Sequence, residues 1–158
     1  LLFSLLLTAC GAPAEEEAIK ETSYQVLDAD EAEVCVISDQ AAVEEMNELI
    51  NSFTSGEATP QGEEPIKPLY TYILWQETTA LAGEDPAAER ELLEVMRVSV
   101  QKDSDRVLLE ILPDSMEAVA DLAAEWVEDA DAIRGFLSFC YDAPPETAAA
   151  LRNPGGFS

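Results

Sequence analysis

A chain of 158 residues holding 33 acidic and 8 basic side chains carries a formal net charge of −25. Such a field repels phosphate backbones and anionic headgroups, which argues against nucleic acid as a partner and against membrane contact through a basic patch. Histidine is absent; this removes Ser-His-Asp and Cys-His catalysis and the commonest ligand of catalytic zinc.

Residues 1–7 read Leu-Leu-Phe-Ser-Leu-Leu-Leu, an apolar run without charge. It is too short to span a bilayer and has the length of the apolar core of an export signal. Leu7-Thr8-Ala9-Cys10 follows: a branched apolar residue, two small ones, then a thiol nucleophilic enough to take a diacylglyceryl group as a thioether. Small side chains before the cysteine suit a peptidase that admits the chain in extended form. This segment resembles the lipobox of bacterial lipoproteins. The resemblance covers residues 1–10, with neither an initiator Met nor a basic stretch ahead of the run. It implies a residual signal peptide over 1–9, lipidation at Cys10, and a domain held at the extracytoplasmic face of the cell membrane. Two or three acyl chains anchor stably where one holds only marginally. Residues 10–22, with Glu15-Glu16-Glu17 at their centre, are then the lipidated cysteine and an acidic spacer, ahead of a single domain over 23–153.

Residues 24–27 give a weak strand signal, and the β-branched run 33–38 a stronger one. Asp39 offers an N-cap to a helix over 40–53, where Val43, Met46, Leu49, Ile50 and Phe53 recur at helical spacing. The proline- and glycine-bearing stretch 54–68 is a loop. Residues 69–76 are the strongest strand, apolar on both faces toward the end and therefore central. Another loop follows over 78–89. Residues 93–101 alternate, with Met96, Val98 and Val100 against Arg97, Ser99 and Gln101. A turn at 102–105 returns the chain as a strand over 106–112, so these two pair as a hairpin. Asp114 and Glu117 form a capping-box pattern before Met116, Val119, Leu122, Ala123, Trp126 and Val127, one face of a second helix. A strand over 133–141 and a brief helix over 146–152 complete the domain, and 154–158 read as a disordered tail. The expected fold is α+β: an antiparallel sheet of about four to five strands with two main helices packed on it as a two-layer sandwich. Either a relative of the ferredoxin-like plait or a helix-on-meander fits that order.

Candidate sites follow from side-chain chemistry. With Cys10 lipidated, Cys35 and Cys140 remain either as a disulfide outside the cytoplasm or as two buried thiols. Asp28, Asp30 and Glu31 offer the hard oxygens that Ca²⁺ prefers, without the glycine or the distal glutamate of an EF-hand loop; a solvated turn is the alternative. Glu125, Glu128, Asp129 and Asp131 crowd the C-terminal end of the second expected helix. Negative charge is unfavourable there, which points to a cation or basic partner unless Arg134 or water offsets it. Tyr70 and Tyr72 share one strand face while Trp75 lies on the other, so the three cannot make one stacking platform. No phosphate-binding glycine loop, Cys-x-x-Cys or evident nucleophile–base pair is present. The expected function is a non-catalytic binding or scaffolding module of the cell envelope, taking an envelope protein or a cationic partner. It requires no cofactor, Ca²⁺ being the one candidate. A carboxylate-based or Ca²⁺-dependent enzyme acting on glycans, and an acidic inhibitor or immunity-type protein, are the alternatives.

Overall fold

The computed structural model describes residues 21–59, 66–78, 90–112 and 138–157. Among them, six strands form one antiparallel sheet: β1 Thr22–Asp28, β2 Glu33–Ile37, β3 Tyr70–Glu77, β4 Leu92–Val100, β5 Arg106–Ile111 and β6 Ser138–Asp142. Two helices, α1 Gln40–Thr54 and α2 Pro145–Leu151, and a 3-10 turn Pro154–Phe157 accompany it. The fold is α+β. The sheet is wider than expected because the weak signal at 24–27 is a full strand. The second helix expected after Asp114, with its acidic end, lies outside the described residues.

The strand order is β2-β1-β3-β4-β5-β6. β1 lies between β2 and β3 and is antiparallel to both. β2 and β3 therefore run parallel to each other, and α1 is the crossover of a split β-α-β unit. From β3 onward the sheet is a meander of antiparallel neighbours. One end of the sheet thus has the local logic of a plait and the other that of a meander.

Register aligns the inward side chains into a row. Cys35 sits opposite Val26, Val26 opposite Tyr72, Tyr72 opposite Val98, Val98 opposite Leu109, and Leu109 opposite Phe139. Strand alternation puts Tyr24 and Val100 on the same face, and all of these join one core with Val43, Met46, Ile50 and Phe53 of α1. Each fully buried aliphatic side chain there contributes about 1.5–3 kcal/mol. α1 begins where Asp39, in extended conformation, accepts hydrogen bonds from the N–H groups of Ala41 and Ala42. The described helices include none long and apolar enough to cross a membrane.

The expected disordered tail is a correction. Pro154 and Phe157 are buried, and the Phe157 ring meets Tyr72 edge-on, with centroids 6.4 Å apart. The Tyr72 hydroxyl donates to the carbonyl of Leu151 at 2.8 Å. The Asn-Pro-Gly-Gly composition signals a chain break, but the contact that orders it comes from a strand far away in sequence.

Candidate functional site

The β1–β2 turn gathers Asp28, Asp30 and Glu31, the expected cation ligands. Its geometry assigns Asp28 another role. The Asp28 Oδ1 atom accepts from the N–H of Asp30 at 2.9 Å and of Ala32 at 3.0 Å. The backbone closes the same turn, with Asp28 N–H donating to the Ala32 carbonyl at 2.9 Å and Glu31 N–H to the Asp28 carbonyl at 3.1 Å. This is an Asp side chain standing in for a backbone acceptor, as turn-forming Asp residues do. No group of three or more His, Cys, Asp or Glu among the described residues is arranged to hold a metal ion. The three acidic residues are brought together as a turn.

Beside that turn lies a cleft of ≈ 450 Å³ over the sheet face opposite α1, lined by Asp28, Asp30, Glu31, Thr71, Ile73 and Arg97 among others. Arg97, the one cation among its described lining residues, is already partnered, forming an ion pair with Glu94. That hydrogen bond holds the guanidinium above its ordinary value, partial burial opposes it, and the charges of Glu94, Glu110 and Glu31 add to the rise.

A second cleft, of ≈ 570 Å³, opens between the start of α1 and the other end of the β1–β3 pair. Glu21, Glu44 and Glu77 line it with Gln40, Gln76 and Asn47. Here too a carboxylate is engaged by the chain itself, since Glu77 Oε2 accepts from the Glu21 N–H at 3.0 Å. Tyr24 donates its hydroxyl to Asn47 Oδ1 at 2.5 Å, and burial pushes its phenol well above the ordinary range. The sequence gives no sign of this cleft. Its residues come from three separate elements and share no spacing; only the fold collects them.

The aromatic residues divide as the alternation requires. Tyr72 is fully buried and Tyr70 packs against the core. Trp75 lies on the opposite face, where its indole N–H donates to Gln25 Oε1 at 3.2 Å and Gln25 donates onward to Glu33 at 2.7 Å.

The cysteines Cys35 and Cys140 are free thiols, the second of the two alternatives the sequence leaves open. Cys35 lies on edge strand β2 and faces the core, whereas Cys140 lies on the far edge strand β6, opposite Leu108 on the other face. A bridge needs the Cα atoms within about 7 Å; four strands separate these two. Burial pushes both thiols up; Glu33 adds to the rise at Cys35, and at Cys140 Arg106 opposes it while Asp142 adds to it. Both are sluggish nucleophiles at neutral pH. Cys10, Glu125, Glu128, Asp129 and Asp131 lie outside the described residues. The chain matches no protein-family model, and no curated protein or solved structure matches it significantly.

Proposed function

We propose that the chain is a lipid-anchored, extracytoplasmic module of the bacterial envelope that binds or scaffolds another protein through an acidic surface and is not an enzyme. The anchor rests on the lipobox-like Leu7-Thr8-Ala9-Cys10. The binding role rests on how the cleft carboxylates are used. Asp28 and Glu77 are each turned to backbone donors of their own chain, and they sit at opposite ends of the β1–β3 pair. A glycosidase needs two carboxyl groups facing one bond, about 5–9.5 Å apart. The absence of histidine removes the usual alternative base. We take the whole architecture as a two-layer helix-on-meander, with the helix layer toward the core face.

Two measurements test this reading. A Cys10→Ser variant expressed in a bacterial host is expected to leave the membrane fraction; retention there overturns the anchor. Crosslinking of the wild-type chain in intact envelopes is expected to capture a partner that high salt releases, because exposed charge pairs are screened. Turnover of a glycan panel, abolished by a single Asp or Glu replacement, would overturn the non-catalytic role.

A further inference from the structure

Sheet edges expose N–H and C=O groups that recruit other strands, and proteins blunt them with Lys, Pro or a covering segment. The two edges of this sheet are treated differently. On β6, Thr59 bridges to Cys140: its N–H donates to the Cys140 carbonyl at 2.6 Å and its hydroxyl to the same atom at 3.0 Å. On β2, the one strand neighbour among the described residues is β1. Its sequence, Glu-Val-Cys-Val-Ile, holds neither Lys nor Pro. Val34 and Val36 are 46% and 52% exposed, whereas Cys35 and Ile37 hold the strand to the core. Among the described residues the edge is thus fixed in place, apolar and paired with no further strand.

Charge selects the occupant. Asp28, Asp30, Glu31 and Asp39 flank the strand, Glu33 begins it, and the segment 28–39 contains no Lys or Arg. A second copy would bring the same acidic ends together, on chains each carrying −25, and like charges facing each other across a strand pair are destabilising. We infer that the outer edge of β2 docks an extended basic segment of a partner protein, added to the sheet as a further strand. Main-chain hydrogen bonds supply the affinity, apolar side chains cover Val34 and Val36, and Lys or Arg side chains meet the acidic residues at either end. This deepens the binding role proposed above and rests on it.

The test uses the purified full chain, isotopically labelled, and the blocked peptide Lys-Val-Lys-Val-Lys-Val-Lys. Its control is Lys-Val-Lys-Pro-Lys-Val-Lys, of equal charge but unable to complete the ladder. The first peptide is expected to shift the amide signals of 33–37 and to slow exchange at alternate β2 amides. A Val34→Lys/Val36→Lys double variant, which leaves Cys35 and Ile37 in the core, should melt like the parent and bind at least roughly tenfold more weakly. No binding, equal binding of the proline peptide, or shifts scattered over the acidic surface would overturn the inference. Peptide-free, concentration-dependent shifts confined to β2 would overturn it in favour of a second copy. Envelope crosslinking separates this failure from that of the broader reading. A partner still captured by the double variant removes the edge and leaves a binding module, whereas no capture by the wild-type chain removes the binding module itself.

Discussion

Glu31 holds φ at 61° in the turn between β1 and β2, where a Cβ costs about 1–2 kcal/mol relative to right-handed backbone. The turn closes nonetheless, because the Asp28 carboxylate satisfies two of its N–H groups at once. The two effects oppose each other and can be separated by substitution. Replacing Glu31→Gly removes the Cβ and should raise the urea midpoint, by about 0.5–1 kcal/mol of stability once the greater freedom of glycine in the unfolded chain is counted. Replacing Asp28→Ala should lower it by about 1 kcal/mol, as loss of a side-chain cap does. An unchanged denaturant slope in both variants would show that the effect is on stability alone. If Asp28→Ala were neutral, the carboxylate would have no part in holding the turn.

Helix α2 is too short to stand alone, and its anchorage comes from both its neighbours and the side chain of its C-cap, Arg152. Arg152 donates to the carbonyls of Gln101 and Ser104 at 2.8 and 2.6 Å and to Asp105 at 2.8 Å, tying the helix end to the β4–β5 turn. An Arg152→Ala variant is expected to lose about 1–3 kcal/mol by chemical denaturation, since two carbonyls are left without that donor. Amide exchange should accelerate at 101–105 and stay slow at the centre of β1 and β3. Much of this element-level plan was legible beforehand. α1 was readable because its buried positions repeat with the helical period and Asp39 precedes them, and β3 because its apolar run is continuous. β1 gives only a weak signal: Thr22, Ser23, Gln25 and Asp28 dilute its apolar content, although Tyr24 and Val26 are fully buried. The 3-10 turn was unreadable because Phe157 is ordered by Tyr72, and the cysteine separation because pairing depends on strand order. The acidic turn could be read as a cluster, but its hydrogen bonds could not. The second cleft required the fold itself.

Across the whole molecule, the core face carries two tyrosines whose ionisation opposes folding. Burial pushes the phenols of Tyr24 and Tyr72 above the ordinary value, which is about 10 in an unfolded chain. The folded state therefore favours the neutral phenol. The resulting stabilisation is complete below about pH 10 and is lost as pH rises beyond it. Melting temperature measured from pH 8 to 12 should fall steeply at the alkaline end, with part of the tyrosinate absorbance appearing only on unfolding. Smooth titration of all the tyrosines in the native state would contradict this. The distant contacts of Tyr72 are expected to form late in assembly. The β3–β4 and β4–β5 pairs join neighbours along the chain, whereas its bond to Leu151 spans 79 positions and its ring must also meet Phe157. Such a distant closure follows the pairing of neighbours. A Tyr72→Phe chain should accordingly fold at nearly the parental rate in stopped-flow experiments and unfold roughly five- to a hundred-fold faster. The sheet would be assembled first, and residues 151–157 would act as the latch whose release starts its opening.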